Sequence, residues 1–311
     1  MTTLQPQGVW PAMITPLDPA GVPNHAAVEQ LVDTFADQQL GGLYILGSTG
    51  QWPLLPLDQR RDVAERVVRT AGGRLPIIVH VGATATEDAV ALARHAEQIG
   101  ADGVSSVAPI YYPASTDGIF QHYRSIGEAS ELPLYVYHLS SVDQVTLAPR
   151  DYARRVLDLP NIAGMKITDH DLFQFGLMNH AAGDRLQLFS GADGLLCHAA
   201  LSGAIGAIGT FFNVWGQPAQ RARAAFVSGD FAAGRRFMAA FQGALADVIE
   251  SGSIWTFLQA AMQRKFGIDV GMPRAPLGAT DTVWEAGAVD ALIDTVEAAA
   301  AETEDEQQKG K

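Results

Sequence analysis

The chain has 311 residues, 48% of them apolar, which is enough for a sizeable core and suits one large barrel-sized unit. Its 21 basic and 34 acidic residues give a net charge of −13 and a pI near 4.9 with no basic cluster, which disfavours nucleic-acid and anionic-membrane partners and favours small-molecule chemistry. The single cysteine, Cys197, excludes an intrachain disulfide, and neither metal-ligand spacing of Cys and His nor a leader-like start nor a long uncharged apolar run is seen, so a metal-free, soluble, cytoplasmic protein is expected.

Short β-branched runs alternate with longer segments of helical period, the pattern of a parallel sheet. Val9–Ile14 reads as a first strand, and Asn24 caps a helix with Val28, Leu31, Val32 and Phe35 on its apolar face. Gly42–Leu46 is the second strand and ends in the turn Gly47-Ser48-Thr49-Gly50, followed by a helix bearing Val63, Val67 and Ala71 that stops at Gly72-Gly73. Pro76–Val81 is the third strand, and Val90, Ala93, Ala96 and Ile99 mark the helix after it. Gly103–Val107 is the fourth and runs into Pro109-Ile110-Tyr111-Tyr112-Pro113, before a helix with Ile119, Phe120, Tyr123 and Ile126. Pro133–His138, Asn161–Asp169, Leu186–Ser190 and Ala204–Gly209 supply strands five to eight.

Eight strand-helix units over about 210 residues predict a (β/α)8 TIM barrel of α/β class. An open doubly wound sheet is the competing fold, but no Gly-x-Gly-x-x-Gly follows the first strand. The barrel is expected over 1–215 and a C-terminal helical extension over 216–301, where apolar residues recur at helical spacing. The polar ending, 302–311, is expected to lack fixed structure.

One residue interrupts this pattern. The chain has four lysines, and Lys166 is the only one in the first 264 residues; it stands in the otherwise apolar sixth strand. Held among apolar neighbours, an amine loses hydration of its charged form and becomes a nucleophile able to form a Schiff base with a carbonyl. Taken alone, the same segment also fits a strand-end lysine whose stem packs while its head reaches water.

In a TIM barrel the residues after the strands share one mouth. Ser48 and Thr49 in their glycine-flanked turn can hold a carboxylate, and Tyr137, ending strand five beside the lysine strand, can relay protons. Thr168, Gly191, Asp193 and Thr210 would line the rest of the mouth, with Asp193 equally suited to cap a helix.

The Gly47-Ser48-Thr49-Gly50 turn, Tyr111-Tyr112, Tyr137-His138, Gly164-Met165-Lys166-Ile167-Thr168-Asp169-His170-Asp171, Gly191-x-Asp193 and Ile208-Gly209-Thr210-x-x-Asn213 together resemble the N-acetylneuraminate lyase and dihydrodipicolinate synthase superfamily over about residues 8–215. That resemblance implies a class I aldolase in which Lys166 forms a covalent imine with pyruvate or another 2-oxo acid and no other cofactor is needed. It implies that Ser48 and Thr49 hold the carboxylate, that Tyr137 moves protons, and that Tyr111 completes a hydroxyl relay from a neighbouring subunit of a homotetramer built as a dimer of dimers. The lyase side of the superfamily is the nearer: where the synthases carry an arginine just after the tyrosine, this chain reads His138-Leu139-Ser140-Ser141-Val142. A dehydratase acting on 2-keto-3-deoxy sugar acids would use the same imine, and a non-catalytic oxo-acid sensor would not need both Lys166 and Tyr137. Gln51 and Gly194 stand where the lyases carry glutamates, so weak use of N-acetylneuraminate and better use of a shorter or less polar substrate are expected.

Overall fold

The computed structural model describes residues 6–309 apart from Gln144, with side chains through residue 301. Eight parallel strands alternate with helices: β1 Gly8–Pro11, α1 His25–Asp37, β2 Leu43–Ile45, α2 Leu57–Ala71, β3 Ile77–His80, α3 Thr86–Gln98, β4 Gly103–Val107, α4 Thr116–Gly127, β5 Leu134–Leu139, α5 Pro149–Val156, β6 Ile162–Thr168, α6 Leu172–Ala182, β7 Gln187–Ser190, α7 Leu196–Leu201, β8 Gly206–Gly209 and α8 Phe212–Val227. The ladder runs β1-β8-β7-β6-β5-β4-β3-β2. Just past β1 the chain closes the ring, because Ala12 N–H donates to Gly209 O at 2.8 Å and Met13 N–H to Tyr44 O at 2.9 Å. Val9–Ile14 therefore works as one closing segment even though its regular ladder is shorter. The fold is the expected TIM barrel.

The barrel interior is filled mainly by rings. Trp10, Tyr44, Tyr135, Tyr137 and Phe189 form its own cluster with Ile78, Val107 and Ile208. Trp10 and Tyr135 both meet Phe189 edge-on, at 5.7 and 6.1 Å, the geometry that the ring quadrupoles favour. The opposite strand faces pack under the helices, as the period-two alternation requires.

Beyond the barrel lie α9 Phe231–Glu250, α10 Ile254–Phe266 and α11 Ala286–Lys309. They share a core with α8 through Trp215, which meets Phe241 at 5.8 Å and Phe257 at 5.6 Å. The division drawn at 215 falls inside α8, at the residue whose φ of −114° and ψ of 29° kink that helix. The side chains of 302–311 lie outside the described residues. No helix among the described residues is long and apolar enough to cross a membrane.

Behind β3 and β4 a buried polar group sets an acid limit on stability. His122 on α4 bonds Thr86 Oγ1 through Nδ1 at 2.9 Å and Ser106 Oγ through Nε2 at 3.3 Å, while Ser106 Oγ donates to Val107 O at 2.8 Å. Ser106 therefore accepts from Nε2–H, which leaves Nδ1 of the neutral imidazole to accept from the Thr86 hydroxyl. Burial pushes His122 down from 6.5 to about 4. The folded chain resists a proton that the unfolded chain takes up readily, so this contribution is complete above pH 6.5 and is lost as the pH falls towards 4. Lowering the pH through this window should cost about 3 kcal/mol at this one residue. Thermal melts of the wild type and His122→Asn from pH 7 to pH 4 check it: the variant should show a smaller fall in Tm across the window.

Candidate active site

Alternation along β5 and β6 aims Tyr135, Tyr137, Lys166 and Thr168 into the barrel and sends Val136, Met165 and Ile167 to the helix layer. The parallel register sets Tyr137 beside Lys166. Lys166 is 4% exposed, and its Nζ lies 4.2 Å from the centroid of the Tyr137 ring and 4.5 Å from that of Tyr44 on β2. The rings of Tyr44, Tyr137 and His80 surround this point with pairwise centroid separations of 6.2 Å. Ring faces at this distance receive a cation such as a protonated imine, and the enclosure keeps bulk water away.

Tyr44 bonds Ser105 Oγ through its hydroxyl at 3.0 Å, and burial, reinforced by Tyr137, holds the phenol well above the usual tyrosine range. It is therefore a fixed, protonated wall. A Cβ at Gly47 would stand 2.5 Å from Tyr44 Cε1, which explains why the turn after β2 begins with glycine. In that turn Ser48 is exposed, while Thr49 is buried and shares a 2.7 Å hydrogen bond between its Oγ1 and Thr210 Oγ1 at the end of β8.

Gln51, next in the chain, has a left-handed φ of 61° and a buried side chain. Its Oε1 accepts Arg274 N–H at 2.8 Å, and its Nε2 faces Thr15 O at 3.4 Å. An amide serves both neighbours, whereas a carboxylate would have no proton to offer Thr15 O. The Arg274 guanidinium also donates to Gly21 O, Leu54 O and Gln59 Oε1, so the segment between α10 and α11 straps the loops after β1 and β2 together. Trp52 packs on the His80 ring at 5.4 Å and under the Arg60 guanidinium at 5.5 Å.

On the other side of the mouth, Thr168 Oγ1 lies 3.5 Å from the Tyr137 hydroxyl, at the outer limit of a hydrogen bond. Gly191 follows β7, and a Cβ there would overlap Thr168 Oγ1 and stand 3.1 Å from Lys166 Cε. Asp193 accepts Phe211 N–H at 2.8 Å and Thr210 N–H at 3.3 Å, close to the start of α8. Burial pushes its carboxyl up to about 6, against those N–H donors and the nearby Lys166. Thr168, Gly191, Asp193 and Thr210 line one cleft of about 520 Å³ with Gln242, Leu245 and Ile249 of α9.

The structure thus gathers Lys166, Tyr137, Thr168, Gly191, Asp193, Thr210 and Thr49 at one end of the barrel. Tyr111 is placed differently. It is 84% exposed, has φ of 81°, and meets Tyr112 edge-on at 5.0 Å, so within one chain it faces solvent. His138, next to Tyr137, faces outward and binds Asp143 at 2.7 Å. Tyr44, Ser105 and the α9 residues were not singled out in the sequence. Alternation along β2 carries a signal for Tyr44, but only tertiary packing brings α9 to the mouth. Among the described residues, no cluster of three or more His, Cys, Asp or Glu side chains is placed to share a metal ion.

A family model described as the dihydrodipicolinate synthetase family matches residues 5–293. The chain is similar to the N-acetylneuraminate lyase of Salmonella agona (strain SL483), with 32% identity over 276 residues, 88% of this chain and 92% of that protein. It is 33% identical to the N-acetylneuraminate lyase of Rhizobium meliloti (strain 1021) over 246 residues, 79% of this chain and 81% of that one. Among solved structures, N-acetylneuraminate lyase from Mycoplasma synoviae superposes with a TM-score of 0.83 at 26% identity, covering 94% of this chain and 97% of that chain. Wild-type Ruminococcus gnavus sialic acid aldolase shares the fold with a TM-score of 0.86 at 23% identity, over 96% and 98% of the two chains.

The close approach at Gly191 yields a geometric test. Gly191→Ala should keep the barrel fold but lower the Tm, because the new Cβ forces Thr168 to shift. It should slow carbonyl adduct formation at Lys166 by about 10²-fold, the usual cost of displacing a reacting group by around 1 Å. Peptide mass analysis after reductive trapping measures that rate.

Proposed function

The chain belongs to the dihydrodipicolinate synthetase family, and from that membership together with the buried amine we infer a pyruvate-dependent class I aldolase of the N-acetylneuraminate lyase type. The observation that carries the reading is the position of Lys166 Nζ between the rings of Tyr137 and Tyr44 at the barrel mouth. In the cleavage direction, the Lys166 amine adds through its nitrogen lone pair to C2 of a 4-hydroxy-2-oxo acid, the resulting carbinolamine takes up a proton on its oxygen, and water leaves, giving a protonated imine. The C4 hydroxyl gives up its proton, the C3–C4 bond breaks, and its electron pair moves towards the iminium nitrogen to form an enamine while C4 departs as an aldehyde. The enamine takes a proton at C3, and water hydrolyses the resulting imine to release pyruvate and restore the amine.

Each neighbour has a role in this sequence. The Tyr137 hydroxyl, with Thr168 beside it, carries the proton to and from the C4 oxygen. Ser48, Thr49 and the backbone N–H groups of their turn hold the substrate carboxylate, and Thr210 steadies Thr49. Gly191 leaves room for the imine beside Lys166 Cε, and Asp193 faces the carbons beyond C3. Tyr111 joins the proton relay from a neighbouring subunit in a dimer of dimers; its solvent-facing, left-handed placement supports this. The acidic surface and single cysteine suit a soluble enzyme of the reducing cytoplasm.

Incubation with pyruvate and borohydride should add a pyruvate-derived mass to the peptide that contains Lys166. Tyr137→Phe should keep that adduct yet lose about 10²–10⁴-fold in turnover. Labelling at Lys265 instead, or none, would defeat the reading.

A further inference from the structure

We propose that the cleft leading outward from Lys166 is built for a hydrocarbon tail, so that the preferred substrate is a 4-hydroxy-2-oxo acid whose chain beyond C4 carries no further hydroxyls. This rests on the imine chemistry proposed above for Lys166. With C2 on the amine and the carboxylate on the β2 turn, the rest of the substrate extends along the cleft that opens at Thr168 and Gly191. There a single hydroxyl is served, by Thr168 and Tyr137.

Farther out, most of the polar groups already have partners within the chain. Thr210 Oγ1 is engaged with Thr49, both Asp193 oxygens accept backbone N–H groups, and Gln242 Nε2 donates to Gly194 O at 2.6 Å. Apart from the exposed His170 imidazole at the rim, the remaining wall is carbon, from Leu195, Phe211, Leu245 and Ile249. Leu245 and Phe211 are already buried, whereas Ile249 is 53% exposed and has apolar surface left to cover. Gly194 sharpens the point. A Cβ there would make only ordinary contacts, 3.8 Å from Leu245 Cδ2 and 3.9 Å from Gln242 Cγ, so packing does not exclude a hydroxyl-binding side chain at this position.

These features set opposite consequences for the two kinds of tail. Each methylene laid on the carbon wall improves binding by roughly fourfold. Each tail hydroxyl stripped of water without a partner weakens it by roughly tenfold or more.

The test uses the full-length enzyme with 4-hydroxy-2-oxoheptanoate and with 4,5,6-trihydroxy-2-oxohexanoate, following pyruvate release by mass spectrometry. The expected result is a kcat/KM at least about tenfold higher for the aliphatic substrate. Ile249→Asn should lower that value severalfold, mainly through KM, and Gly194→Glu should narrow the gap by improving use of the trihydroxy acid. Equal or better use of the trihydroxy acid by the wild type would overturn the proposal. Borohydride trapping of pyruvate on the same preparation separates the two levels. An adduct with the reversed preference overturns the tail assignment alone, and no adduct overturns the underlying chemistry as well.

Discussion

The pairing of Tyr137 with Lys166 across the β5–β6 ladder is the constraint on which the site depends. Because side chains alternate along a strand, a slip of one residue in either strand would send the amine or the phenol into the helix layer, where Val136, Met165 and Ile167 now pack. The apolar outward faces thus fix the register, and the register sets the polar pair. The β-bulge at Leu134/Tyr135 belongs to the same arrangement: Leu134 pairs with Ile162, but Tyr135 pairs with Gly164, so Ala163 is skipped before the strands align. A site made in this way inherits the rigidity of the barrel core.

Around that pair, the shape of the site is made by what is absent as much as by what is present. Gly47 makes room for the Tyr44 ring and Gly191 for Thr168 and the lysine stem. Tyr44, held by Ser105, keeps the opposite wall in place and stays protonated. The turn that carries Ser48 and Thr49 is held from outside the barrel, since Gln51 accepts the Arg274 N–H and Thr15 Oγ1 donates to Gly50 O at 2.9 Å. The C-terminal extension therefore contributes to the mouth twice, through the Arg274 strap and through the α9 wall of the outer cleft.

Much of this was legible in the sequence because it follows short periods. Alternating apolar runs located all eight strands, and a solitary lysine within one of them marked the amine proposed to react. Tyr137 and the residues after β6, β7 and β8 follow from the rule that one barrel end collects what comes after the strands. Other features are set by long-range packing, which no local pattern records. Tyr44 reads as an ordinary strand aromatic until Lys166 is placed against its ring, and Leu245 reads as one face of a helix until α9 is docked against the turn Asp193–Leu195. The boundary at 215 was drawn where the strand signal ends, yet α8 belongs to the β1 side of the barrel and to the C-terminal core together. For Tyr111 the reason is different: among the described residues, an 84% exposed ring on a left-handed backbone meets only the neighbouring Tyr112 ring.

The central claim is that the Lys166 amine bonds covalently to the keto carbon of its substrate. Carbon-13 NMR of pyruvate labelled at C2, bound to the enzyme at equilibrium and without any reductant, observes that carbon itself. The account predicts that the C2 resonance leaves the ketone position for that of a protonated imine, and that Lys166→Ala abolishes the shift while remaining folded. A bound pyruvate whose C2 stays a ketone, or an imine signal that persists in Lys166→Ala, would contradict it.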